Sequence, residues 1–287
     1  MIVLNEREYA EDCLRNSTLK EKPSYTLDVL AKYYYHVKGF KKKKIVELLT
    51  DFADRNFEYY HDSRAFWDAR IESVSSNARN RTLHEINEVW ITENELSAIE
   101  AIADPDLERL AFTLLCLAKY NHAKNKNNDY WVNQSAKEIF SLARVTCRAK
   151  DRPLYLNKLV VRKMLGYAKR NDNTSVRVTY VDEDSPKAIC ISDFRELGYE
   201  YMSYKGGNFT RCQECGILIK DTKNHNRKFC KNCDGYEPIK FKSITCVDCG
   251  KIVKINPQNK RTCRCEECQE QYRRQYKRDF MRKLRES

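Results

Sequence analysis

The chain has 287 residues, with 53 Lys and Arg against 41 Asp and Glu, for a formal net charge of +12. That length admits two or three domains, and 33 % charged with 41 % hydrophobic content suits a globular, mostly helical chain rather than a disordered one. The longest apolar run, Leu110–Ala118, falls far short of the roughly 20 residues that cross a bilayer, and Met1–Arg7 turns charged too early for a signal peptide; a soluble, cytoplasmic protein with no membrane partner is expected.

Residues 1–23 are polar up to Pro23 and predict an arm or a short helix. From Ser24, Leu27, Leu30 and Tyr34 share a helical face that Gly39 stops. A second amphipathic helix carries Ile45, Leu48, Leu49, Phe52 and Ala53 behind the Lys41–Lys44 run, which reads as a solvated face. Of the aromatics Tyr33, Tyr34, Tyr35, Phe57, Tyr59, Tyr60, Phe66 and Trp67, most fall at helical spacing and are expected in a core. A third helix is predicted from Asp62 through Val74, and a weaker one over Leu83, Ile86 and Trp90.

Thr92 with Glu95 predicts a capping box, and Asp104-Pro105 opens the most apolar helix, with Leu107, Leu110, Ala111, Leu114 and Leu117 on its buried stripe. Beyond a polar loop, Asn121–Asp129, come a short strand at Tyr130–Val132, a helix capped by Ser135, and a helix over Leu154–Lys169. Val176–Val181 and Lys187–Ile191 predict a hairpin across Asp182–Pro186. This order of three helices and a hairpin resembles the winged helix-turn-helix family. The resemblance implies that the third helix contacts DNA. On that helix Leu156, Leu159, Val160, Met164 and Tyr167 share one face, and Tyr155, Lys158, Arg162 and Lys169 lie opposite as candidate nucleic-acid contacts. Lys163 and Arg170 fall toward the buried side.

A short helix over Asp193–Ser203 and a joint at Lys205–Asn208 lead into the cysteine-rich third. There Cys212/Cys215, Cys230/Cys233, Cys246/Cys249 and Cys265/Cys268 form four Cys-x-x-Cys pairs, enough for two tetrahedral Zn(II) sites. Cys-Gln-Glu-Cys-Gly-Ile-Leu-Ile-Lys from Cys212 recurs 34 residues later as Cys-Val-Asp-Cys-Gly-Lys-Ile-Val-Lys from Cys246, so the unit occurs twice. Cys263 competes with Cys265 for the second site, and His225 lies between ligand pairs of the first. Closed tetrathiolates leave no position for substrate, so both zincs are expected to be structural. The repeats resemble the zinc-ribbon and zinc-knuckle class. With an aromatic-rich helical front and a tail reading Tyr-Arg-Arg-Gln-Tyr-Lys-Arg, the whole is similar to uncharacterised proteins of bacterial phages and mobile elements, which implies nucleic-acid handling.

The last stretch, Gln269–Ser287, predicts a helix with Arg274, Arg278, Arg282 and Arg285 on one face, candidates for phosphate contact. From Tyr204 onward 21 Lys and Arg face 10 Asp and Glu, a local charge of +11 that two zinc tetrathiolates lower to about +7. No phosphate-binding glycine loop, dinucleotide fingerprint or His-Glu-x-x-His is present, and the pairs Asp104/Asp106 and Asp182/Asp184 sit where caps and turns need Asp.

The expectation is a mostly α, multidomain protein with a small β component. It comprises an arm (1–23), a helical domain (24–103), a winged-helix-like domain (104–203), a tandem zinc region (204–268) and a basic helix (269–287). It would be a non-enzymatic binder of nucleic acid, DNA before RNA, with no small-molecule substrate. The alternative is an inhibitor or adaptor that docks on a host protein or ribonucleoprotein complex, such as a defence (e.g. CRISPR) complex.

Overall fold

The structure is a computed structural model describing residues 2–17, 19, 22–168, 175–221, 227–234, 242–255 and 263–286. It divides into two compact units, Met1–Lys228 and Phe229–Ser287. Helices dominate and the sheets are small.

Two cores form in the first unit. The first gathers α1 (Glu6–Arg15), α2 (Pro23–His36), α3 (Lys42–Asn56) and α4 (Arg64–Asn77) around Tyr9, Leu27, Leu30, Ile45, Leu49, Tyr60 and Ile71. The polar N-terminal stretch is therefore a core helix, because Tyr9, Ala10 and Cys13 recur on one face and Asn5 caps it by accepting from the Glu8 N–H. Glu6, buried in its first turn, accepts from Lys32 Nζ at 2.5 Å and from the His84 N–H at 2.9 Å.

The predicted helix over Leu83–Trp90 does not form. Residue 85 bridges to Asn5, and Trp90 lies in β1 (Val89–Thr92), whose Val, Trp, Ile and Thr favour extended backbone once a partner strand is at hand. α5 (Glu93–Glu100) starts with the predicted capping box. α6 (Pro105–Lys124) is the axis of the second core: Leu110–Ala118 is buried on every side, so the stripe read from sequence is wider in the fold.

Around α6 lie β2 (Trp131–Val132), α7 (Ala136–Leu142), α8 (Arg152–Val161), β3 (Leu165–Tyr167), β4 (Val176–Val178), β5 (Lys187–Ile191) and α9 (Leu197–Tyr204). Strands β2, β4 and β3 form one antiparallel sheet in that order. The expected hairpin is thereby corrected: β4 pairs with β3, and β5 pairs with β1 about a hundred residues earlier in the chain. The cause is an early end to α8. Met164 N donates to Leu159 O and Lys163 N to Val160 O, a Schellman turn with Lys163 at φ 59°, so Leu165–Tyr167 is free to become a strand. α7 ends in the same way at Arg144, φ 53°.

α9 follows closely. A Cβ on Gly198 would stand 2.2 Å from the Ala143 carbonyl oxygen, so only glycine allows this approach to the end of α7. Arg144 forms a two-pronged pair with Glu196 alongside. The expected joint at Lys205–Asn208 is a hydrogen-bonded turn: the Lys205, Gly206 and Gly207 N–H groups donate to Tyr201, Ser203 and Met202, and Lys205 pairs with Glu100. The hairpin β6 (Phe209–Arg211) and β7 (Leu218–Lys220) completes the first unit. The second unit contains the hairpin β8 (Lys242–Thr245) and β9 (Ile252–Ile255), then α10 (Glu266–Glu286).

Candidate metal centres and basic surfaces

The duplication extends to individual hydrogen bonds. Gly216 N donates to Cys212 O and Cys212 N to Ile217 O, each at 2.9 Å, and 34 residues on Gly250 N–Cys246 O and Cys246 N–Lys251 O repeat the pair at the same lengths. Both glycines adopt positive φ, 72° and 73°, as the tight turn behind a Cys-x-x-Cys pair requires. Each knuckle thus presents two sulfurs from a hairpin whose strands are the preceding and following residues.

Two groups of four cysteines result, Cys212/Cys215/Cys230/Cys233 and Cys246/Cys249/Cys265/Cys268, with the sulfurs of each within 4.8 Å of one another. Zinc–sulfur bonds of about 2.3 Å in a tetrahedron place sulfurs about 3.8 Å apart. Cys249 Sγ and Cys265 Sγ stand 3.7 Å apart, the spacing of two ligands on one zinc ion. Each group can hold one zinc ion, which fits two per chain.

Local electrostatics suit a cation. Backbone N–H groups of Cys265, Cys249 and Asp248 draw the Cys246 thiol down to about 6, and side-chain contact with Cys265, burial and the other sulfurs push Cys268 up. One sulfur is thus readily a thiolate, and a metal ion would displace the protons held by its neighbours.

Cys263 is resolved by the internal repeat. Val247 N donates to its carbonyl at 3.0 Å, as Gln213 N donates to the Lys228 carbonyl at 3.0 Å, so Cys263 is the counterpart of a lysine and its side chain is exposed. Cys265 is the buried ligand. His225 lies outside the described residues.

The basic candidates fall into two groups. On α8, Lys158 is exposed, while Tyr155 is half-buried against Phe140, ring centroids 5.9 Å apart, and holds Lys158 Nζ 5.3 Å above its ring. Arg162 is exposed at the C-cap and donates to the Lys158 carbonyl, and Lys169 lies outside the described residues. Lys163, assigned by the helical wheel to the buried side, is exposed because the helix has already ended. On α10, Arg274 pairs with Glu270 at 2.8 Å, Arg278 donates to Gln275, and Arg282 stands 4.0 Å from Asp279; all three are exposed. Arg285 belongs to α10, with its side chain outside the described set. Sequence reading missed Arg264, which pairs with Asp248 at 2.6 Å and lies 4.2 Å from the centroid of the Tyr272 ring, tying α10 to the second knuckle.

The acidic pairs serve as caps. Asp104 accepts from the N–H groups of Asp106 and Leu107, and Asp182 from those of Asp184 and Ser185. Lys41–Lys44 are exposed at the start of α3, with Lys42 on Glu72 and Lys44 on Glu47. Among the described residues no helix is long and apolar enough to cross a membrane. No family model matches the chain, and no curated protein or solved structure shows significant similarity to it.

Proposed function

We propose that this is a non-enzymatic, zinc-containing nucleic-acid-binding protein that acts on duplex DNA, in transcription or replication control of a phage or mobile element. The observation that carries this reading is α10. It leaves the second cysteine cage with Arg273, Arg274, Lys277, Arg278 and Arg282 exposed alongside the exposed rings of Tyr272 and Tyr276, while Glu266, Glu267 and Glu270 lie at its start and Asp279 and Glu286 are the acidic residues beyond. Guanidinium groups interleaved with rings grip phosphates and stack on sugars or bases.

The winged-helix reading of the middle region is supported by the order α6, β2, α7, α8, β3, β4 with sheet order β2–β4–β3. In that arrangement α8 lies against the duplex, with Lys158, Arg162 and Lys163 toward the backbone. The zinc ions are structural: each holds two knuckles together and sets the direction of the chain that follows.

Fluorescence anisotropy with duplex and single-stranded DNA across a salt series tests this. Binding should weaken steeply with salt, and charge reversal at Arg274, Arg278, Arg282 and Arg285 should weaken it for all sequences alike, lowering the duplex log–log slope by about 3–4. Absence of binding from low to physiological salt would refute it.

A second reading, a protein-docking inhibitor or adaptor, draws on Tyr59, in the turn after α3, and Phe66, on α4, each 61 % exposed beside Phe57 and Trp67. Such a protein would keep its function after the arginine reversal and lose it on Phe66→Asp.

A further inference from the structure

The two ribbons fold alike but use their sheet faces differently. Opposed residues of an antiparallel pair project to the same side, and the side alternates along each strand. One side of the first ribbon therefore carries Phe209, Lys220, Arg211 and Leu218. That side rests on α9. The Phe209 ring is 5.1 Å from that of Tyr199, Arg211 Nη2 is 2.9 Å from Glu200 Oε1, and Leu218 is buried. The chain itself covers this face at Phe209 and Leu218, while Arg211, though paired with Glu200, and Lys220 stay exposed at its edge.

Thirty-four residues on, the matching side of the second ribbon carries Ser243, Lys254, Thr245 and Ile252. All four are exposed, Ile252 by 76 %. The reverse side, Lys242, Ile244, Val253 and Ile255, is half-buried. The exposed side is therefore the counterpart of the face that the first ribbon uses for docking.

The replacements point to its occupant. The ring and guanidinium that seat the first ribbon on a helix, Phe209 and Arg211, have become the hydroxyls Ser243 and Thr245, while the lysine is kept. Without the aromatic anchor the face is poorly suited to a second helix. Two hydroxyls and an ammonium are donors matched to phosphate oxygens, and among the described residues no ion pair or side-chain hydrogen bond engages them. The surrounding unit carries 15 Lys and Arg against 8 Asp and Glu, +7 before any metal is counted. A polyanion fits that charge.

We infer that the sheet face of Ser243, Thr245 and Lys254, centred on Ile252, contacts the sugar–phosphate backbone of nucleic acid. The duplicated ribbons have thus divided their roles, the first docking on α9 and the second binding. This rests on the nucleic-acid reading above and adds to it residues that belong to neither α8 nor α10. Contact is with the backbone and carries no base sequence; Ile252 packs on the sugars.

The test uses the full-length, zinc-loaded protein and a random-sequence DNA duplex, with native mass spectrometry to verify two zinc ions in each variant. Lys254→Gln should lower the salt slope of binding by about 0.9, the loss of one phosphate contact. Ser243→Ala with Thr245→Ala should weaken binding roughly tenfold with the slope unchanged. Lys220→Gln, on the docked face of the first ribbon, should change neither. If the wild type binds and Lys254→Gln keeps its slope and affinity, or if Lys220→Gln loses as much as Lys254→Gln, the division of roles is overturned and the nucleic-acid reading stands. If the wild type binds no nucleic acid, both fall together.

Discussion

Lys119 Nζ lies 2.8 Å from Glu95 Oε2 within the first unit, and Glu95 is wholly buried. The carboxylate also accepts from the N–H groups of Thr92 and Asp182, each at 2.9 Å, and Lys119 donates to the Trp90 carbonyl at 2.8 Å. One ion pair thus fastens β1, the start of α5, α6 and the turn after β4. Removing one partner strands a charge in the core. Lys119→Met should therefore destabilise the protein by about 3–5 kcal/mol in urea denaturation. Glu95→Leu combined with it should recover part of that loss. A cost below about 1 kcal/mol for Lys119→Met would show the pair to be solvated.

The end of α8 makes an opposite prediction. Lys163 holds φ 59°, where a side chain costs about 1–2 kcal/mol that glycine avoids. Lys163→Gly should leave the unit as stable or more stable by up to about 1 kcal/mol, after the entropy that glycine adds to the unfolded chain. Destabilisation by more than that would mean the Lys163 side chain has a partner in solution.

Zinc stoichiometry checks the assignment of ligands. Cys263→Ser should retain two zinc ions by native mass spectrometry, because its sulfur meets Arg264 and lies outside the group of four, whereas Cys265→Ser should retain one. The reverse pattern would exchange the two thiols. Chelation should unfold the knuckles and leave both cores of the first unit helical in circular dichroism, since neither core includes a ligand cysteine.

Acid should loosen the junction of α1, α2 and the segment at His84. Burial alone would raise the Glu6 carboxyl, but hydrogen bonds from the His84 N–H and Lys32 hold it below its ordinary value; burial and nearby Lys124 hold His84 below its own. Both groups bind protons more readily when unfolded. Stability present at neutral pH should therefore decline as pH falls below the ordinary histidine value of 6.5, and again below the ordinary glutamate value of 4.5. His84→Gln keeps the backbone donor and should flatten the first decline in melting temperature. An identical decline in His84→Gln and wild type between about pH 7 and 5 would remove His84 from the account.

What could be read in advance follows from where the information lies. The cysteine cages, the Thr92–Glu95 capping box and the Asp104 cap depend on residues near one another in sequence, and all form. Strand partners were less legible. Pairing of Trp90 with Cys190 is set by tertiary packing, and a local pattern of Leu83, Ile86 and Trp90 imitates a helix. The ends of α7 and α8 were hidden because Arg144 and Lys163 occupy left-handed positions usually marked by glycine. Arg144 has a reason visible only in the fold, its pair with Glu196 and its guanidinium 5.0 Å from the centroid of the Tyr199 ring.

The close approach at Gly198 has a mechanical consequence. From the end of α7 the contacts run on without slack: backbone against backbone at Ala143, Arg144 to Glu196, Glu200 to Arg211, and Arg195 Nη2 to the Cys215 carbonyl at 2.7 Å. A pull on the first knuckle should therefore be carried as tension through α9 to the end of α7 rather than absorbed at Lys205–Asn208. α9 should thus act as a strut, and a single methyl group at position 198, which would meet the Ala143 carbonyl at 2.2 Å, would be enough to prise its anchorage open.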